Sequence, residues 1–343
     1  MRIPVVDSQK RPLMPCTPAK ARMLIKQGKA FPRRNKLGIF YLQLNYAQEP
    51  ANQTIVIGID PGSKFEGYSV VGTQDTVLNI MAQTATHVKD AVGTRRMMRR
   101  ARRSRKWRRA RRNLNRLKRQ KRVPPSTRSR WEAKFRILSQ LNKIIPITDV
   151  AIEDVHARTK AGWKKWNESF SPVQMGKGHL YTLIKKAGFG LHLNICLRTK
   201  ELRDLYGLKK TQSKSKQSFA SHCVDAWVIA ASISGAKTPS WTGLWYIVPA
   251  RLHRRHLHTL QPAKGGIRPA YGGTRSLGLK RGTIVIHRKY GRCVVGGCSL
   301  KKKRISLHSY RTNKRLTQDA QVKDCRILTW VAFRSWLIRT DRD

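Results

Sequence analysis

Apolar residues in this chain come in short runs separated by polar and basic stretches. Thr54 to Asp60, TIVIGID, is a continuous apolar run that closes on a carboxylate, with Pro61, Gly62 and Ser63 behind it. A run of that length bounded by turn residues predicts a central strand buried on both faces. Tyr68 to Val71 and Val77 to Ala82 predict two more strands, joined to the first as a compact meander. Thr148 to Glu153, TDVAIE, is another apolar strand ending in a carboxylate. The pattern then predicts a helix near Leu180 to Ala187, a strand near Leu191 to Arg198, and a strongly apolar helix from Phe219 to Ser234.

The flanks read differently. Near the N-terminus, Pro12 and Pro15 read as punctuation before a helix. Thr17 is a natural N-cap, Pro18 suits the first helical position, and Gly28 supplies a stop. Gly38 to Leu44 then reads as a strand. Beyond Gly235, short strand signals at Thr283 to His287, Cys293 to Val295, Arg304 to Leu307 and Ile327 to Phe333 suggest a small β-barrel-like module. The fold class is therefore α/β, with a β-rich C-terminal module.

Charge changes this picture more than any other feature. The 343 residues carry 72 Lys and Arg against 18 Asp and Glu, a formal charge of +54. Self-repulsion of that size destabilises a compact state unless a polyanion neutralises it, so a nucleoprotein is expected. The 40% apolar content argues against disorder of the whole chain. No apolar run approaches the ~18 residues of a membrane span, and the N-terminus lacks a secretory pattern. Six cysteines without an export signal are expected to be reduced thiols in the cytoplasm. Cys293 and Cys298, five apart, would need Cys325 and His308 to make a zinc site; buried thiols are the simpler reading.

From Lys89 to Arg122 there are 18 Lys or Arg and one acid, Asp90, or +17 in a tenth of the chain. No Gly or Pro interrupts residues 94–122, so the segment is long enough for one helix of ~43 Å. Arginines at helical spacing repel by a few tenths of a kcal/mol per pair, which phosphates on several sides would remove. Met97, Trp107, Leu114 and Leu117 weigh against the plain alternative of an unfolded charged arm.

Acids are scarce, so their placement is informative. Asp60, Glu153 and Asp225 alone, with Asp154 beside the second, are embedded in apolar strand ends or an apolar helix. Each taken singly is most simply the partner of an arginine. Converging as a set, they would make a hard oxygen site suited to Mg²⁺ or Mn²⁺. His222 and Asp225, at i and i+3, share one helix face, and His222 is a candidate base or ligand.

In order, IVIGIDPG, VAIEDV and SHCVDAWVIAAS resemble the split RuvC nuclease, an RNase H-like fold. The arginine-rich helix resembles the bridge helix of CRISPR type II effectors. Pro12, Leu13, Met14 and Pro15 resemble the PLMP motif opening the IscB and IsrB families of transposon-associated OMEGA proteins. QPAKGG from Gln261, YGGTR from Tyr271 and GGCS from Gly296 resemble those families as well. The interval from Val155 to Ser221 is short and shows no His-Asn-His pattern, so the resemblance is to IsrB, the branch without that second nuclease domain.

The resemblance implies an RNA-guided nickase with catalytic Asp60, Glu153, His222 and Asp225, the three acids holding two Mg²⁺ ions. It implies a PLMP domain over 1–52, RuvC segments over 53–88, 132–217 and 218–235, a bridge helix over 89–131, and a C-terminal domain over 236–343 that reads a target-adjacent motif. The expected partners are a structured guide RNA and double-stranded DNA, with the protein monomeric inside the ribonucleoprotein and no membrane role. RNA contact falls to Arg95, Arg96, Arg99, Arg100, Arg102, Arg103, Arg105, Arg108, Arg109, Arg111, Arg112 and Arg116. DNA contact falls to Arg288, Lys289, Lys301, Lys302, Lys303 and Arg304, with Trp241, Trp245 and Tyr246 as aromatic neighbours. A non-catalytic RNA-binding scaffold and a stand-alone junction resolvase are the competing readings.

Overall fold

The computed structural model describes residues 1–50, 53–85, 123, 125–154, 172–213, 216–249, 275–329 and 333–338, with several positions between 88 and 100. The chain divides into two compact units. One comprises Met1–Phe31, Leu42–Tyr246 and Leu337–Asp343; the other comprises Pro32–Tyr41 and Ile247–Trp336.

In the first unit, β1 (Ile3–Val6) pairs antiparallel with β2 (Pro12–Cys16) and parallel with β4 (Phe40–Leu44) through Val5 and Val6. The prolines read as punctuation lie in a strand, Pro12–Cys16. It is an outer strand of its sheet, where a missing backbone donor is tolerated. Helix α1 (Pro18–Lys26) begins as expected, with the Thr17 hydroxyl accepting from Lys20 N at 3.2 Å. It stops at Gly28, which takes φ +68. Strand β3 (Ala30–Arg34) follows.

The core is a mixed sheet. Strands β5 (Val56–Asp60), β6 (Phe65–Val71) and β7 (Thr76–Gln83) form the antiparallel meander. Strands β8 (Asp149–Glu153) and β9 (Gly190–Asn194) extend it in parallel from the other side of β5. The order β7-β6-β5-β8-β9 is the RNase H-like arrangement expected from the sequence. Strand β10 (Leu244–Pro249) lies beside β7. Helices α2 (Pro125–Asn142) and α3 (Pro172–Lys186) pack on each other. The residues after Ile195 form helix α4 (Cys196–Leu205), not the tail of a strand, and the helix buries Thr199 and Leu202.

The apolar segment near residue 220 is two helical pieces, α5 (Phe219–His222) and α6 (Val224–Ser234), meeting at Cys223. Nine of the eleven residues of α6 are buried. Trp227, Val228, Ala230 and Ala231 pack against Val56, Val71 and Ala151 of the sheet, and the Trp227 indole donates to Thr76 Oγ1 at 2.9 Å. Two glycines let these helices sit directly on the strands. A Cβ on Gly58 would lie 1.7 Å from the Ala226 carbonyl oxygen, and one on Gly67 1.7 Å from that of His222. Neither position has room for a larger residue.

The second unit contains the β-rich module predicted from short strand signals. Strands β11 (Arg275–Ser276) and β12 (Leu279–Lys280) form a small hairpin. Strands β13 (Ile284–His287), β14 (Gly291–Ser299), β15 (Arg304–Ser309), β16 (Arg315–Ala320) and β17 (Cys325–Thr329) form an antiparallel sheet in the order β16-β15-β14-β13-β17. Val285, Cys293, Val295, Ile305 and Leu307 form its core. β18 (Phe333–Ile338) follows in the chain.

Candidate active site

Parallel register brings the first two acids together. Ile59 of β5 faces Ile152 of β8, so Asp60 and Glu153 follow at neighbouring strand ends. Gly58, two residues before Asp60, and Gly67, opposite Asp60 on β6, let α5 and α6 approach. That approach brings Asp225, in the first turn of α6, to the same place. One carboxylate oxygen from each of Asp60, Glu153 and Asp225 lies within 4.8 Å of the other two. Among the described residues this is the cluster able to hold a metal ion.

Two cations line the cluster. Lys210 Nζ reaches Asp60 Oδ2 at 3.1 Å and also bonds Asp225 Oδ2. Arg203 Nη1, from α4, donates to Asp225 Oδ1 at 2.7 Å. Burial opposes the charged form of Lys210, and Asp60 and Asp225 more than offset it, so its pKa is raised. Among the described residues no cation is bonded to Glu153. Burial first, and then the Asp60 and Asp225 carboxylates, push its pKa from 4.5 up to about 7. Among the described residues three acids face two cations, so ionising Glu153 leaves one negative charge in excess. Hard oxygen donors with surplus negative charge fit a divalent ion such as Mg²⁺. They would hold it through Asp60, Glu153 and Asp225.

The remaining candidates fall in different places. His222 is buried and packs its ring against Phe65 at 5.4 Å, and it is not a member of the three-acid cluster. Asp154, the neighbour of Glu153, is bonded by Lys177 and by the Tyr181 hydroxyl at 2.7 Å. It is an anchor for α3 and not a fourth ligand. Cys293 belongs to the β-sheet core, with Cys298 and Cys325 packed against it as free thiols. Arg96 and Arg100 are helical. Arg95, Arg99, Arg102, Arg103, Arg105, Arg108, Arg109, Arg111, Arg112 and Arg116 lie outside the described residues.

The six DNA candidates fall into two groups along the chain. Arg288 and Lys289 precede β14 while Lys301, Lys302, Lys303 and Arg304 follow it. A nine-residue strand separates the two groups by roughly 30 Å. The second group includes the basic lining of a cleft of about 670 Å³ made with Leu277, Leu300 and Lys323. Trp245 and Tyr246 are buried in β10. The run LWYIVP is a core strand, and its aromatics face protein.

Sequence reasoning missed Arg203 and Lys210. No pattern distinguishes them among 72 basic residues. No helix among the described residues is long and apolar enough to cross a membrane.

Residues 3–165 match the family model described as RRXRR protein. No curated protein matches the chain. Among solved structures, Thermus thermophilus RuvC in complex with a Holliday junction substrate is 16% identical, over 54% of this chain and 99% of that one, at a TM-score of 0.30. A second Thermus thermophilus RuvC structure gives the same values. The yeast mitochondrial Holliday junction resolvase Ydc2 is 15% identical, over 52% of this chain and 77% of that one, at a TM-score of 0.28. The fold class is α/β, and the strand order β7-β6-β5-β8-β9 is that of a split RNase H-like core.

Proposed function

We propose that the protein is an RNA-guided, metal-dependent DNA endonuclease of the IsrB kind, which nicks the displaced strand of a target opened by its guide. The observation that carries this reading is the convergence of Asp60, Glu153 and Asp225 from three separate stretches of sequence. Divalent ions bound there supply activation of the attacking water and stabilisation of the leaving oxygen. The chain's own groups do the rest. The β5 and β8 ends fix two carboxylates, Arg203 orients the third from α4, and Glu153 is the group whose proton must leave before an ion enters. His222 orients water or accepts a proton from its place on α5. The arginines from Arg95 to Arg116 hold a structured guide RNA. The two basic groups bordering β14 contact DNA phosphates. The working form is a single protein chain in a cytoplasmic ribonucleoprotein.

The test is nicking of a supercoiled plasmid by the full chain, with its cognate guide and Mg²⁺. Asp60→Ala should reduce nicking by at least a thousand-fold while guide affinity changes less than two-fold. Full nicking by that variant would remove the site from the reaction.

A second reading is a scaffold that binds RNA without cutting, favoured by the cations already on Asp60 and Asp225. It requires that the site bind no divalent ion. A Mn²⁺ titration followed by electron paramagnetic resonance separates the two.

A further inference from the structure

The second unit carries almost no negative charge. From Ile247 to Trp336 the sequence has only Asp319 and Asp324, and from Pro32 to Tyr41 it has none. Asp319 is engaged by Arg304 at 3.7 Å, and Asp324 lies in the turn before β17. Within this unit, the segment around Gly38 meets the end of the β-module at Tyr310. Gly38 takes φ +82, and a Cβ there would lie 2.4 Å from Ser335 Oγ and 3.5 Å from the Tyr310 hydroxyl. Tyr310 is locked in place: its hydroxyl donates to Ser335 O at 2.6 Å and accepts from Ser335 N at 2.9 Å.

Arginines surround this tyrosine. The Arg292 guanidinium sits 5.2 Å from the ring centre. Arg334 Nη1 donates to the Tyr310 carbonyl at 3.1 Å. Arg34 is tethered by a 3.0 Å bond from its Nη1 to Gly38 O. Burial, and next the Arg292 guanidinium, push the pKa of Arg34 down. Among the described residues no carboxylate bonds Arg34 or Arg292, so their guanidiniums repel one another, and the fold nevertheless uses a backbone carbonyl, a glycine turn and a fixed aromatic ring to hold them. An anion resolves the repulsion. The forked donors of Arg match phosphate oxygens, and a phosphodiester chain supplies them in series.

We propose that Arg34 and Arg292, gathered with Arg334 around Tyr310, form a cradle for a phosphodiester of a bound nucleic-acid strand. The cradle shares no residue with the three-acid cluster or with the six DNA candidates, and it does not rest on nuclease activity.

The experiment measures binding of the full chain to two fluorescent probes, a 24-nucleotide RNA hairpin and a 24-base-pair DNA duplex, across a salt series. Arg34→Gln with Arg292→Gln is compared with Lys280→Gln with Lys314→Gln, an equal loss of charge at exposed sites of the same unit. Each lost phosphate contact lowers the salt slope by about 0.7 on single strands and about 0.9 on duplex DNA. The arginine pair should lower it by at least one and weaken binding about ten-fold or more, beyond the lysine pair. A drop on RNA alone assigns the phosphate to a guide, and on DNA alone to a target; both outcomes support the cradle. Equal effects of the two pairs on both probes overturn it. Arg292→Gln alone, at an exposed residue, gives the same comparison against Lys314→Gln if the double variant does not fold.

Discussion

Replacing Glu153 by glutamine should stabilise the metal-free protein, by an amount that grows as pH climbs from 4.5 to 7 and is constant above. The cluster holds Asp60, Glu153 and Asp225 against Lys210 and Arg203, so the two aspartates are balanced and ionised Glu153 is not. Its pKa rises from 4.5 to about 7 through burial and the neighbouring carboxylates. The folded state therefore binds this proton more tightly than the unfolded state. Stability is full below pH 4.5, falls as pH climbs through the window from 4.5 to 7, and levels off above it. The shift corresponds to roughly 3 kcal/mol at about 1.4 kcal/mol per unit, and partial exposure of the side chain reduces this to about 2 kcal/mol.

A glutamine amide at this position would keep the shape and shed the charge, so the Glu153→Gln protein loses nothing as pH rises. A unit of this size shifts its melting temperature by about 2–4 °C per kcal/mol, giving a gain of about 4–8 °C at pH 8 and none at pH 4.5. Differential scanning calorimetry in chelator, at several pH values, reads the difference directly. Mg²⁺ should then raise the melting temperature of the parent protein at pH 8 and move the variant little, because the ion supplies the missing positive charge. A variant that melts at or below the parent at pH 8, or one whose gain is the same at both pH values, refutes the charge balance.

Lys210→Met removes an ammonium that competes for Asp60 and Asp225, so Mn²⁺ affinity should rise several-fold in a paramagnetic resonance titration; an unchanged affinity would show that the lysine does not oppose the ion. Gly58→Ala sets a methyl against the Ala226 carbonyl at 1.7 Å. The cost should reach or exceed the ~1–3 kcal/mol usual for overpacking, seen as a lowered urea midpoint. An unaltered midpoint would mean that α6 does not rest on β5 as described.

Much of the core was legible because its signals are local. A buried parallel strand is a short apolar run, and TIVIGID and TDVAIE are both that. Their last residues, Asp60 and Glu153, stand out because a carboxylate at the end of such a run needs a partner. The errors arose where one pattern serves two structures. LWYIVP has the aromatics of a stacking surface and the apolar continuity of a core strand, and burial of Trp245 and Tyr246 decided for the strand. Pro12–Cys16 has turn residues, yet an outer strand can carry them. Leu191 to Arg198 continues apolar past the end of β9, and the chain enters α4 at Cys196.

The site itself divides along the same line. Acids are rare in this chain, so three of them in apolar settings carry information before any folding is known. Basic residues are everywhere, so Arg203 and Lys210 carry none until α4 and the segment before α5 bring them to Asp225. The same abundance hides Arg34 and Arg292, which lie far apart in the sequence and are brought together beside Tyr310 by the fold. In a chain of charge +54, contrast makes the negative centre readable, whereas a particular cation acquires meaning only from the neighbour that the fold assigns to it. Charge neutrality links the two. Among the described residues the acid cluster has one more carboxylate than cations, which fits a metal ion, and the proposed Tyr310 cradle gathers guanidiniums, which fit phosphate. Each surplus is visible only after the local charges are counted within the folded unit.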